Sequence, residues 1–192
     1  MTVLAAPTLR AYFAERLDLA ARDSGQDLEP EARIYLLDML VRYAAPDVLV
    51  DLDRPLAWLF RDAVEEPDRA RRFERFRTLG DVALVRGGFL PEDLEGEGVP
   101  ESYVAELGAR GYLGASALRR ERIGVGGPYE ALGRGFRRAL RLLTWVREDP
   151  ETGTPVEIVR VFEAYQRGRS PRAARRLSRL GLVPVPGDGK IH

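Results

Sequence analysis

The chain lacks cysteine entirely, and its only histidine, His192, is also the last of its 192 residues. Without cysteine it has no disulfide, no thiolate nucleophile and no thiolate zinc or iron–sulfur site. A single histidine also excludes a multi-histidine metal site and argues against a Ser-His-Asp triad built from this chain. We therefore expect no metal and no cofactor, and a non-enzymatic protein is favoured over an enzyme.

Lysine and long apolar runs are scarce as well. Lys190 is the only lysine among 30 basic residues, which argues against Schiff-base chemistry and a phosphate-binding Walker lysine. No apolar run approaches the roughly 20 residues that span a bilayer, and the N-terminal residues 1–7 lack the features of an export signal. With its arginine bias, the composition is typical of a cytoplasmic protein from a GC-rich bacterium, with no membrane association.

What is present is a balanced, strongly charged chain, with 30 basic and 30 acidic side chains and 45% hydrophobic residues. Its length suits one domain with a substantial core. We expect a single helical domain over residues 1–181 and an extended or disordered tail over residues 182–192.

Apolar residues recur at helical spacing, whereas strand-like alternation is confined to residues 182–185. The pattern predicts an all-α fold, a single multi-helix orthogonal or bundle-like domain of six to eight helices with an irregular C-terminal tail. We expect residues 34–43, apolar almost all round, to form its central buried helix. The other expected helices span about 8–23, 56–64, 68–86, 101–122, 128–148, 155–167 and 171–181, with an exposed acidic loop over 89–99.

Glycine recurs at intervals of three inside one of these helices, at Gly108, Gly111 and Gly114. Each such glycine costs about 1 kcal/mol relative to alanine. Two explanations remain open: close approach of another helix, or a break near Gly111.

A first candidate site lies at Arg77 and Asp81, which are four residues apart and can therefore meet on one helix face. The pair is either a buried ion pair that joins helices or a ligand-binding or acid–base site. In the second case, Tyr103 and Tyr112 are the further candidate ligand-binding residues. An asparagine at position 81 separates the alternatives, since a structural role predicts lost stability and a catalytic role predicts a folded but inactive protein.

The segment 77–112 carries short motifs, namely Leu79-Gly80-Asp81, Gly88-Phe89-Leu90-Pro91, Tyr103 and Gly108 to Tyr112. Through these motifs the chain resembles a family of small all-helical bacterial proteins that have no settled activity. The resemblance implies a helical fold and a bacterial source, and it implies no reaction.

A second candidate site is an arginine-rich C-terminal segment. Six arginines within 13 residues could neutralise the phosphates of DNA or RNA, or could pair with the acidic loop over residues 92–97 of this or a neighbouring chain. We name these residues the C-terminal arginines: Arg167, Arg169, Arg172, Arg175, Arg176 and Arg179.

Three functions therefore stay open. The preferred one is a protein-interaction or regulatory module that binds a protein partner or itself. The second is a nucleic-acid-binding module that acts through the C-terminal arginines. The third is a small-ligand binder or histidine-free enzyme with its site near Arg77, Asp81 and Tyr103.

Overall fold

The fold is all-α, as the apolar spacing predicts. The structure is a computed structural model that describes residues 6–43, 52 and 54–148; in these ranges it has eight helices and no strand. The helices expected over 155–167 and 171–181, and the tail, lie outside the described residues. The eight helices are α1 (Ala6–Ser24), α2 (Pro30–Tyr43), α3 (Leu56–Glu65), α4 (Arg69–Phe89), α5 (Pro91–Gly96), α6 (Glu101–Ile123), α7 (Pro128–Arg134) and α8 (Phe136–Glu148).

The central helix is α4, not α2, so the expectation of a central helix at residues 34–43 was wrong. In α4, every residue from Leu79 to Phe89 except Gly87 is buried. Helix α2 buries one face, while Ile34 is 56% exposed on the other. Helix α2 packs against α1 and α7, and these contacts do not cover all of its apolar side chains.

Helix α4 continues through Gly87 and Gly88, where the sequence predicted that it would end. These glycines allow α8 to pack directly on the α4 backbone. A Cβ atom at Gly88 would lie 2.6 Å from Cβ of Leu143, and one at Gly87 would lie 2.8 Å from Cδ2 of Leu140. Tertiary packing therefore outweighs the helix-ending tendency of the glycine pair.

Glycines also allow close packing where α4 and α6 cross. Helix α6 runs unbroken, and its glycines face neighbouring helices: Gly108 meets the ring of Phe136, and Gly114 meets that of Phe76. A Cβ atom at Gly111 would lie 2.7 Å from the backbone nitrogen of Gly80. Of the two explanations, close approach of another helix is therefore correct, and the break near Gly111 is not observed.

Two further expectations about loops and breaks were wrong. The expected exposed loop over 89–99 contains α5, where Leu94 is 3% exposed because it packs into the core. The long helix expected from Pro128 is divided into α7 and α8 at Gly135.

Among the described helices, none combines the length and apolarity needed to cross a bilayer.

Candidate functional site

A buried carboxylate, Asp81, lies where α2, α4 and α6 meet. Its side chain is 1% exposed. One carboxylate oxygen, Oδ1, accepts hydrogen bonds of 2.8 Å from the hydroxyls of both Tyr35 and Tyr112. Because Tyr35 is on α2 and Tyr112 on α6, this oxygen ties both helices to α4.

The other carboxylate oxygen, Oδ2, is held by two arginines. Arg77 donates from one turn earlier in α4 at 3.2 Å, and Arg42 donates from α2 at 3.4 Å. Arg77 is also paired with Glu74 at 2.7 Å. Both oxygens of Asp81 are therefore engaged by side chains of the chain itself, as a buried charge requires.

Burial raises the pKa of Asp81 to about 6, against the pull of Arg42 and of the two tyrosine hydroxyls. The same burial, together with the negative charge of Asp81, raises the pKa of Tyr35 and of Tyr112. Both phenols therefore stay protonated and act as hydrogen-bond donors, while the carboxyl group can change its charge near neutral pH.

Aromatic rings enclose this polar centre. The Tyr35 ring contacts those of Tyr112 and Tyr129, with centroids 5.9 Å and 5.0 Å apart. Phe73 meets Tyr129 edge-on at 5.4 Å, and Phe136 lies 5.9 Å from Tyr112. The edge-to-face pairs among them contribute to stability beyond their buried area.

The structure brings together three of the four residues that the sequence singles out for this site. Arg77 and Tyr112 each bind Asp81, and Arg77 forms with it the ion pair that their spacing predicts. Tyr103 is 39% exposed and lies nine residues before Tyr112 on α6, about 13 Å along the helix axis. Tyr103 therefore lies outside this cluster, and its ligand-binding role stays a prediction.

Sequence reasoning missed two members of the cluster, Tyr35 and Arg42. They are seven residues apart, which places them on one face of α2, and this spacing was the only available signal. Their partner, Asp81, is 46 residues from Tyr35 along the chain. No local pattern indicates which polar groups of α2 and α4 will meet.

The C-terminal arginines lie outside the described residues, and so does any pairing between them and the segment 92–97. Within that segment, Glu97 is bound to Arg86 at 2.6 Å. Arg86 is only 3% exposed, so its charge needs this partner. The described ranges contain no group of three acidic or histidine side chains arranged to hold a metal ion.

The arrangement around Asp81 can hold helices together and can respond to protonation. Each of its polar atoms already has a partner within the protein, which is typical of a structural ion-pair network. The chain matches no family model, no curated protein and no solved structure, so its resemblance to small helical bacterial proteins stays a prediction.

Proposed function

We propose that this chain is a non-enzymatic protein-interaction module whose partner, in the simplest case, is a second copy of itself. Two features support this function. The polar centre at Asp81 is buried and already fully occupied by groups of the chain. Large apolar side chains are instead exposed at the surface, and the largest of them is Trp58, which is 56% exposed.

Trp58 is the single observation that carries the proposal. Helix α3 buries Leu56, Leu59 and Ala63, and it leaves the indole of Trp58 outside. Tryptophan is among the residues most enriched at energetically important positions of protein interfaces. An indole that the described residues leave uncovered can bury most of its remaining surface against another molecule.

An ion-pair network borders this indole. Asp62, one turn after Trp58, binds Arg54 at 2.5 Å and lies 3.8 Å from Arg75, which also binds Glu66 at 2.8 Å. Apolar anchors surrounded by a polar rim are the usual organisation of a protein interface. The network contains both signs of charge, so a second copy can approach without net repulsion.

The proposal predicts that Trp58→Ala weakens self-association by about 2 kcal/mol, roughly thirtyfold in dissociation constant. Trp145 is the only other tryptophan, so Trp145→Phe leaves Trp58 as the sole indole fluorophore. With rising concentration, we expect its emission to shift to the blue while light scattering reports a growing mass. In Trp58→Ala, the growing mass should be lost from the same concentration range, as light scattering reports without any fluorophore.

Ile34→Ala is the matched control, because Ile34 is as exposed as Trp58 but lies on α2. This variant should associate as the unsubstituted chain does. A constant monomeric mass with unchanged Trp58 emission would contradict self-association. Equal weakening by Ile34→Ala would contradict the assignment of the interface to α3.

A further inference from the structure

We propose that a cavity between the start of α4 and the end of α6 binds a small amphipathic anion, an acidic headgroup carried on an apolar body. This site is separate from the surface around Trp58. The cavity has a volume of about 780 Å³. Small-molecule sites typically measure about 300–1,000 Å³ and combine apolar walls with a few placed polar groups.

Four arginines line this cavity, and two of them, Arg119 and Arg122, have no ion-pair partner among the described residues. Arg69 is neutralised by Glu121 at 2.9 Å. Arg71 has only a distant partner, Asp68 at 3.7 Å, and Arg119 donates to the carbonyl oxygen of Val125 at 3.1 Å without an ion-pair partner among the described residues.

Arg122 is the most available of these cations. No described residue lies within hydrogen-bonding or ion-pairing distance of its guanidinium. A guanidinium can bind a carboxylate or a phosphate through two parallel hydrogen bonds. An acidic headgroup at this position would therefore supply Arg122 with a partner that no described residue provides.

The acidic residues at the cavity do not cancel this charge, because both already have partners. Asp68 caps α4 by accepting a 2.8 Å hydrogen bond from the backbone N–H of Arg71. Glu74 is directed to Arg77, outside the cavity lining, at 2.7 Å. The remaining electrostatic character is positive, which selects an anion.

The apolar part of the cavity lining, here called the floor, selects the rest of the ligand. It is made by Ala70, Phe73, Leu118 and Ile123. The ring of Phe73 is held by edge-on contact with Tyr129. Ile123 is 49% exposed and therefore offers apolar surface for a ligand to cover. An inorganic anion would leave this floor in contact with water, whereas a hydrocarbon or aromatic body would bury it.

Calorimetric titration with decanoate, acetate and 1-decanol separates the two contributions. We expect decanoate, used as monomers, to bind more tightly than either acetate, which lacks the tail, or decanol, which lacks the charge. Arg122→Gln should weaken decanoate binding by about tenfold, as expected for loss of one charge-assisted contact. Ile123→Glu should weaken it at least as much, since a carboxylate then replaces apolar floor.

Arg137→Gln is the charge-matched control, because Arg137 is an exposed arginine of α8 that lines a different depression. It should bind decanoate as the unsubstituted chain does. The proposal is overturned if Arg122→Gln has no effect, if Arg137→Gln weakens binding equally, or if acetate or decanol binds as tightly as decanoate. Sedimentation with phosphatidylglycerol vesicles tests the alternative source of the headgroup, and binding to vesicles without binding to decanoate also overturns it.

Discussion

Replacing Gly111 by alanine should lower the free energy of unfolding by about 3 kcal/mol, the upper part of the range for overpacked sites. The added Cβ would lie 2.7 Å from the backbone nitrogen of Gly80 and 2.8 Å from the carbonyl oxygen of Phe76. Both are backbone atoms of α4 and cannot rotate away. The helices must therefore separate, which loosens the core between them.

The expected loss is a net value. Alanine is better than glycine in a helix interior by about 1 kcal/mol, so the clash must exceed that gain. Helix α6 also carries Tyr112, which donates its hydroxyl to Asp81. A shift of α6 away from α4 therefore strains that hydrogen bond as well as the apolar packing.

Gly96→Ala is the matched control. Gly96 is the last residue of α5, and a Cβ atom there would meet nothing within 4 Å. Chemical denaturation should give it unchanged or slightly increased stability, while Gly111→Ala unfolds at lower denaturant. If Gly111→Ala is as stable as the unsubstituted chain, the close backbone approach of α4 and α6 is wrong.

The second large effect concerns pH. The pKa of Asp81 is raised from an ordinary 3.8 to about 6 in the folded protein. The folded state thus holds a proton on this carboxyl group over a pH range in which the unfolded state has released it. Asp81 therefore contributes stability that is fully present below pH 3.8 and is lost as the pH rises through about 6.

The full contribution is about 3 kcal/mol, because each pKa unit corresponds to about 1.4 kcal/mol. About 1 kcal/mol of it should appear on acidification from about pH 7 to about pH 5, and about 2 kcal/mol by about pH 4. Acidification usually acts in the opposite direction. The pKa values of Asp62 and Glu130 are lowered by hydrogen bonds from Arg54 and Arg120, so their stabilisation is lost as the pH falls through those lowered values.

Asp81→Asn isolates the contribution, because asparagine has nearly the same shape and no proton to release. Unfolding free energies of the two proteins should be measured from about pH 7 to about pH 5, the window set by the raised pKa of Asp81. The unsubstituted chain should gain stability relative to Asp81→Asn as the pH falls. Groups that titrate alike in both proteins cancel in this difference.

A stability difference that stays constant, or that favours the unsubstituted chain as the pH rises, would show that Arg42 and Arg77 keep the carboxylate ionised. The two outcomes separate the two forces that act on Asp81. Burial favours the neutral acid, and the arginines favour the anion. The tyrosine hydroxyls of Tyr35 and Tyr112 donate to the carboxyl oxygen in either state.

Helical spacing was a sufficient signal for the all-α class and for most of the helices in the described ranges. It also predicted that Arg77 and Asp81 would meet, because residues four apart in a helix are neighbours whatever the tertiary structure. The glycines at positions 108, 111 and 114 indicated either close approach of another helix or a break in α6, and the first alternative is correct. In each case the residues that carry the signal lie within about one to two turns of a single helix.

Other features depended on contacts between distant segments. The sequence favoured α2 as the central helix because of its apolar composition, whereas α4, whose N-terminal half is strongly charged, occupies the centre. Gly87 and Gly88 looked like a helix end and proved to be the contact surface for α8. Composition alone does not show which partner removes water from a given face.

The amino-acid sequence by itself determined the helical class, the Arg77–Asp81 pair and the absence of cysteine chemistry, because these follow from composition and local geometry. Only the tertiary structure decided that Tyr35 and Arg42 join Tyr112 around Asp81, that Tyr103 does not, and that Trp58 is exposed. The physical reason is that burial and charge pairing depend on which helices pack together. That choice is made by the summed contacts of the whole core rather than by any one segment.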